Sequence, residues 1–413
     1  MTFVPNILYI SSIASVIAYK FYTVRHFTDG DFFTFYGIAV TAYILSRFAL
    51  AERYHYDEKR SIFLPKVSII IPVYNEEEHI AKTLLHHVKS DYPKDRLEVV
   101  VVNDGSKDGT EEEVTRVLRE HAETSIKLIN LPQNRGKRHA LAVGIRAAEG
   151  EVIVTNDSDS FVNQDAVRKV VQPLQDRRVG GVTGHADVHN WKDNLLTKIQ
   201  YVRYFVAFRV YKSAESLYDS VICLSGCLAA YQKSVLMQFL DEWENQKFWG
   251  RTCTYGDDRG LTTFILRKGL KALYEPSSIT ETIVPTTMSK FWKQQLRWKK
   301  SWLRETYLVS KFMWRKHPMM SLSFYSNAFL TMFSFLIVVR VFFLLPVLQS
   351  TIPIFYIIGL ALVSLVYLAY CNKHGIYQGW FFPIIWCVLY ALILVWQIPI
   401  AFLTLRDSRW GTR

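Results

Sequence analysis

Long apolar stretches alternate with a central region of different period. Five stretches are apolar over ~20 residues, the length that crosses a bilayer. They run about Ile7–Val24, Phe32–Ala51, Phe324–Val347, Ile352–Tyr370 and Trp380–Leu405. The first has no basic residues before it and no small-residue cleavage site after it, so it reads as a span rather than a cleaved signal. Between Leu64 and Pro285 the runs shorten. Val67–Ile71, Leu97–Val102 and Val152–Thr155 are β-branched and continuously apolar, as strands buried on both faces of a parallel sheet are. Helical patterns separate them: Glu76–Lys89 sets Ile80, Leu84 and Val88 on one face, and Lys137–Ala148 follows Gly136. This alternation predicts an α/β, doubly wound domain between spans. From Met288 to Trp314, Phe291, Trp292, Leu296, Trp298 and Trp302 mix with Lys290, Lys293, Arg297, Lys299, Lys300 and Arg304. That mixture predicts helices lying in the membrane interface, the alternative being a helix packed on the domain.

Composition agrees with membrane residence. Half of the 413 residues are hydrophobic, 15% are aromatic, and the net charge is +12. The positive charge suits an anionic lipid leaflet, and no nucleic-acid module is present. The cysteines are Cys223, Cys227, Cys253, Cys371 and Cys387. Their odd number and scatter argue against a disulfide framework, and the Cys223–Cys227 spacing lacks the second pair that zinc would need.

Four short motifs carry the chemistry. The first strand ends in Pro72-Val73-Tyr74-Asn75-Glu76, where Tyr74 can stack on a base and Glu76 contact a nucleoside; an ordinary turn with Asn75 as helix cap is the plainer reading. The second ends in Asn103-Asp104-Gly105-Ser106, where Asp104 can accept from a uracil N–H or a ribose hydroxyl, though Asp-Gly also marks turns. Asp157-Ser158-Asp159 follows Val152–Thr155. If the segment is extended, both carboxylates face one way and can share Mg²⁺ or Mn²⁺ with a diphosphate. Asn134-Arg135-Gly136-Lys137-Arg138 opens a helix whose N-terminus and cations attract diphosphate. Gly256-Asp257-Asp258-Arg259 precedes a helical Leu261–Leu266 run. One of its carboxylates reads as a general base for an acceptor hydroxyl, or both as helix caps.

Together with Gln294-Gln295-Leu296-Arg297-Trp298, these motifs resemble the family-2 processive glycosyltransferases of GT-A fold: cellulose, chitin and hyaluronan synthases. Gly256–Thr262 and Gln294–Glu305 are most similar to the hyaluronan synthase and nodulation chitooligosaccharide synthase branch; cellulose and poly-N-acetylglucosamine synthases carry a different acidic triplet. The resemblance covers about Pro65 to Glu305. It implies that Tyr74, Glu76 and Asp104 hold the uridine, with Lys137 and Arg138 near the nucleotide. It implies Asp157 and Asp159 as the metal site, Asp159 the direct ligand, and Asp258 as base. Gln294 and Arg297 would close over the diphosphate. Trp298 and the turn Ser225-Gly226-Cys227 would hold the acceptor. Hyaluronan synthases usually have Ser-Gly-Pro at that turn, so Cys227 departs from them.

The implied organisation is two spans (1–60), a cytosolic GT-A domain (61–287), interface helices (288–318) and three spans forming a translocation channel (319–413). The implied partners are a UDP-sugar, UDP-N-acetylglucosamine with or without UDP-glucuronate, a growing polysaccharide and the bilayer, with no obligatory protein. Arg340, deep in the third apolar stretch, is a pore-facing candidate, with Ser334, Tyr367 and Gln397 beside it. Charge bias runs against this orientation, because the start lacks Lys and Arg while the tail carries Arg406, Arg409 and Arg413. A lipid-directed single-sugar transferase is an alternative, disfavoured by Gln294–Trp298. A transporter with a degenerate domain is disfavoured by the intact Asp104, Asp157, Asp159 and Asp258.

Overall fold

The computed structural model describes residues 3–27, 32–55, 63–350, 352–376 and 381–407; Lys59 and Arg60 after the second span, Trp380, and Arg409 and Arg413 in the tail lie outside these. Helices α1 (Phe3–Phe27) and α2 (Phe32–Arg53) precede the domain. Its strands are β1 (Val67–Val73), β2 (Leu97–Asn103), β3 (Ser125–Asn130), β4 (Val152–Thr155), β5 (Ser160–Val162), β6 (Val179–Val188), β7 (Ala229–Gln232) and β10 (Lys271–Thr282). The hairpin β8–β9 (Lys247–Phe248, Arg251–Thr252) stands apart. The domain's helices are α3 (Ile80–Val88), α4 (Thr110–Glu120), α5 (Lys137–Ala147), α6 (Ala166–Val171), α7 (Leu195–Val206), α8 (Ser213–Ser216), α9 (Lys233–Leu236), α10 (Leu240–Glu244) and α11 (Asp257–Arg267). Then come α12 (Met288–Ser310), α13 (Pro318–Val339), α14 (Leu345–Gln349), α15 (Ile354–Lys373), α16 (Phe382–Leu392) and α17 (Gln397–Leu403).

The sheet order is β3-β2-β1-β4-β7-β6-β10-β5. Its first half is the expected parallel unit: Ile69 pairs with Val99 and with Val154, and every residue of β1, β2 and β4 is buried. The second half is mixed. β7 runs antiparallel to both β4 and β6, and β5 antiparallel to β10. The architecture is therefore α/β with a Rossmann-like parallel half and a mixed extension rather than doubly wound throughout. Two cores sandwich the sheet. One gathers Ile70, Val102, Leu141, Tyr231, Trp243 and Leu261; the other gathers Ile69, Val99, Val101, Leu84, Val114 and Val167. Alternate residues of β1 and β2 feed opposite cores, as the two-residue strand period requires.

Five described helices are long and apolar enough to cross a bilayer: Val4–Arg25, Phe32–Arg53, Pro318–Leu348, Ile354–Lys373 and Phe382–Leu403. The chain is thus a multi-pass membrane protein. Val347 and Leu403 are 80% and 82% exposed, which lipid tolerates and water does not. The third span starts at Pro318 rather than Phe324, because proline suits a first turn and the His317 side chain accepts the Met319 N–H at 3.2 Å. At Arg340–Leu344 it passes through a π-helical turn, and the Arg340 guanidinium lies 3.9 Å from the centre of the Phe33 ring.

The basic-aromatic segment is one helix, α12, followed by a short turn at Met313–Arg315. Its Thr287 cap accepts the Lys290 N–H. It buries Phe291, Gln295, Ser301, Arg304, Glu305 and Val309 and contacts α11 and α17. The segment expected to lie in the interface therefore spends one face on protein, bracketing the domain against the last span.

Candidate active site

The candidate residues gather beyond the carboxyl ends of β1, β2 and β4. After β1, Asn75 adopts a left-handed conformation (φ 53°) and α3 starts only at Ile80, with His79 in the cap position that Asn75 was expected to fill. The turn is stitched to the one after β2. Asn75 N–H donates to Ser106 Oγ (2.9 Å), Lys107 N–H to Asn75 Oδ1 (2.9 Å) and Glu76 N–H to Thr110 Oγ1 (2.8 Å). Tyr74 is half-buried and Glu76 buried at this edge. Gly105 has φ 70°, and a Cβ there would meet the Gln133 carbonyl carbon at 2.7 Å, so only glycine fits.

Asp104 is buried, and its two carboxylate oxygens accept the Arg135 and Gly136 N–H groups at 2.9 and 2.8 Å. Burial pushes its carboxyl above the usual range, with those N–H groups working against the rise. Asp104 thereby aims the loop that opens α5, a task any nucleoside contact has to share. Lys137, first residue of α5, pairs with Asp157 Oδ1 and lies 3.6 Å from Asp257 Oδ2. Burial opposes its charge, but the two carboxylates outweigh burial and raise it above the ordinary lysine range. For Asp257 burial opposes ionisation; Lys137, then Arg138 and Arg297, override it and hold the carboxyl below its usual range.

Arg138 is a correction. It was expected near the nucleotide, but the chain buries it behind α11. Its guanidinium donates to the Trp243 carbonyl (2.6 Å) and Gln246 Oε1 (2.7 Å) and lies 4.9 Å from the centre of the Trp243 ring. A helix turns successive residues by ~100°, so Lys137 and Arg138 cannot share one direction.

Asp157 and Asp159 occupy a turn, closed by the Ser160 N–H donating to the Asp157 carbonyl at 3.1 Å, and not the extended segment on which their alignment was argued. Both are half-buried. Among the described residues no three His, Cys, Asp or Glu side chains gather into a cage. The donor set is two hard carboxylates, which suits a divalent cation that also takes ligand oxygens. The Ser225–Cys227 turn leans on this pair: a Cβ on Gly226 would lie 3.1 Å from Asp157 Oδ1. Ser225 N–H donates to Thr183 Oγ1 (3.1 Å), and Cys227 is buried.

Lys137, Asp157, Gly226, Tyr231, Asp257 and Asp258 line one narrow cleft. Asp258 Oδ1 accepts the Arg259 N–H at 2.7 Å, and Asp258 Oδ2 lies 3.4 Å from Cys223 Sγ, which donates to it. Burial, then the Asp258 charge, push the Cys223 thiol up to about 12, so it stays a neutral donor. The Thr262 hydroxyl donates to the Asp258 carbonyl (2.7 Å) and accepts the Leu224 N–H (2.9 Å), fixing the cysteine's neighbour to the same helix turn. Gly256, φ 72°, precedes the pair of acids. A Cβ there would lie 2.0 Å from Ser301 Oγ, so α12 presses directly on the start of α11. Arg304 donates to Glu305 (2.8 Å) and to the Tyr255 carbonyl (2.7 Å), and Thr263 donates to Glu305 (2.7 Å). On the same helix, Gln294 is half-buried and accepts from Gln295 at 3.2 Å. Arg297 acts on Asp257. Trp298 faces α7, its ring 6.3 Å from that of Tyr204 and 4.7 Å from the Arg203 guanidinium. Asp257, Cys223 and Tyr204 are site residues that the sequence reading passed over. Asp257 had a signal, the doubled acid; the other two approach from elements remote in sequence.

Residues 68–240 match the model of glycosyl transferase family 2. An N-acetylglucosaminyltransferase of Azorhizobium caulinodans is 32% identical over 357 residues, 84% of this chain and 87% of that protein. The chain belongs to glycosyltransferase family 2. An N-acetylglucosaminyltransferase of Rhizobium meliloti is 36% identical over 60% of this chain, a match that spans only 58% of that relative's length. A hyaluronan synthase of Streptococcus pyogenes is 27% identical over 92% of this chain and 90% of its own. Among solved structures, a mannosyltransferase from Pyrobaculum calidifontis, determined with GDP-Man and Mn²⁺, shares the fold at TM-score 0.56 and 22% identity. It covers 87% of this chain and 98% of its own.

Proposed function

We propose that this family-2 glycosyltransferase is an inverting, processive polysaccharide synthase using UDP-sugars, UDP-N-acetylglucosamine among them. The observation that carries the reading is Asp258. Its carboxylate sits at the start of α11, held by a neutral thiol and a backbone N–H, in one cleft with Lys137 and Asp157. Asp258 takes the proton of the acceptor hydroxyl as that oxygen bonds to the anomeric carbon. The bond from that carbon to the diphosphate breaks on the opposite side, and UDP leaves. Lys137 turns from Asp157 to the diphosphate; Arg297 supports it from α12. Tyr74, Glu76 and Asp104 hold the uridine edge. Asp157 and Asp159 hold Mg²⁺ or Mn²⁺, which when bound neutralises the diphosphate. Gln294 closes over the donor, and Trp298 with the Ser225–Cys227 turn cradles the acceptor.

Processive export follows from the placement of α12. It touches the base helix at one end of its face and α17 at the other, so a product leaving Trp298 meets the membrane bundle. In this reading the domain at 61–287 faces the cytosol, where UDP-sugars are made, and the last three spans contribute to the exit path. The test is UDP release by purified full-length protein given UDP-N-acetylglucosamine, UDP-glucuronate or both, with Mg²⁺ or Mn²⁺, and product sizing. A lengthening product supports the reading; addition of one sugar to lipid alone, or no release with any donor, defeats it.

A further inference from the structure

Two cations beside Trp298 have no acid to answer them. Arg203 on α7 lies with its guanidinium 4.7 Å from the centre of the Trp298 ring and 5.3 Å from that of Trp386 on α16. Lys299 on α12 lies 4.9 Å from the centre of the Tyr390 ring, also on α16. Both side chains are half-buried, and among the described residues neither pairs with a carboxylate or donates a side-chain hydrogen bond. Their electrostatic neighbours are aromatic rings and other cations: Arg203 is felt by Lys299, and Arg259 by Arg203. Burial, then Arg203, push Lys299 down to about 8.

This is unlike the treatment of other enclosed cations in the chain. Lys137 has Asp157, Arg304 has Glu305, Arg47 has the Ser323 hydroxyl at 2.6 Å, and Arg138 has a carbonyl and an amide. Placing two cations together in a protein cleft without a counter-charge is costly unless a ligand brings one. The aromatic rings take the guanidinium's flat face, which leaves its edge, a fork of N–H donors shaped for a carboxylate. The place is also informative. It is the seam between α7, α12 and α16, one helix turn from the Tyr204 and Trp298 pair and on the membrane side of it.

We propose that Arg203 and Lys299 bind the carboxylate of a uronic acid residue in the growing chain as it passes Trp298, so that the polymer alternates a uronate with a neutral amino sugar. This rests on the reading of the protein as a polysaccharide synthase and narrows its substrate class: the second donor is a UDP-uronate. The pair also acts as a ratchet, since an anionic sugar is held once it has moved past the acceptor platform.

The experiment uses full-length protein in nanodiscs, made once with neutral and once with anionic lipid. Wild type, R203Q, K299Q and the double variant receive UDP-N-acetylglucosamine alone, UDP-glucuronate alone, or both, and UDP release and product length are followed. Thermal midpoints are recorded as a folding control. Wild type is expected to elongate only with both donors. Each variant is expected to elongate ~10-fold or more slowly and to release shorter chains, as loss of a charge-assisted hydrogen bond implies, while its thermal midpoint is kept. A uronate-bearing tetrasaccharide is expected to bind wild type at least ~10-fold more tightly than the double variant, and chitotetraose to bind both alike. A long product from UDP-N-acetylglucosamine alone, with R203Q and K299Q matching wild type, overturns the proposal and leaves the synthase reading intact. Loss confined to anionic-lipid discs assigns the cations to lipid phosphates and also overturns it. No UDP release by wild type with any donor defeats the synthase reading itself.

Discussion

The base helix is held against α12 by one buried ion pair, and removing half of it has a calculable cost. Arg304 and Glu305 are 5% and 4% exposed at the side chain and 2.8 Å apart. Glu305 also accepts from Thr263 on α11, and Arg304 donates to the carbonyl of Tyr255 just before Gly256. Glu305→Gln leaves a guanidinium enclosed with no counter-charge. Breaking one side of a buried pair costs ~3–5 kcal/mol, whereas an exposed pair is worth ~0–1 kcal/mol. An internal comparison is available in Arg116 and Glu120, 46% and 50% exposed at 3.0 Å, where Glu120→Gln is expected to change little. The assay is thermal unfolding in detergent with UDP release measured alongside. Glu305→Gln should lower the midpoint by on the order of 10 °C and depress turnover, because Asp257 and Asp258 begin the helix that loses its support. The Arg304→Met/Glu305→Met double variant, with no charge left to bury, should recover much of the stability. A Glu305→Gln protein as stable as Glu120→Gln would refute the reasoning.

Asp258→Asn should cut turnover by ~10²–10⁴-fold while UDP-sugar still binds; near-normal turnover removes Asp258 from the mechanism. Excess chelator should stop UDP release and added Mg²⁺ or Mn²⁺ restore it, with Asp159→Asn needing more metal for half-maximal rate; full activity in chelator defeats the metal site. Trp298→Ala should shorten the product at an unchanged thermal midpoint; a lowered midpoint with wild-type product length means the indole only anchors α12. Ser301→Ala should be tolerated, since the Ser301 hydroxyl is buried with no partner, whereas Gly256→Ala should destabilise through its left-handed backbone and its 2.0 Å approach to Ser301.

The parallel half of the sheet and the span positions were legible because each is a local pattern: continuous β-branched runs for β1, β2 and β4, and ~20-residue apolar runs for the helices. Strand β3 was not, because its residues alternate between exposed and half-buried and its run Ser125–Asn130 is interrupted by polar residues. Strand β7, Ala229–Gln232, is four residues with little β-branched character, and only its pairing with β4 and β6 makes it a strand. The site divides in the same way. Lys137, Asp157, Gly226 and Asp258 were found from motifs and share a cleft. Arg138 misled because adjacency in sequence does not mean a shared direction on a helix. Cys223, 35 positions from Asp258, and Arg203, on a helix far in sequence from Trp298, carry no local signal of the contacts they make.

The most direct test of the central claim is a time course of UDP release and product length for wild type and Asp258→Asn, reconstituted with UDP-N-acetylglucosamine, UDP-glucuronate and Mg²⁺ or Mn²⁺. The account predicts that wild type releases UDP in step with a polymer that lengthens over time, and that Asp258→Asn binds donor and makes essentially none. Equal product from the two proteins, or UDP release by wild type with no chain growth, would contradict it.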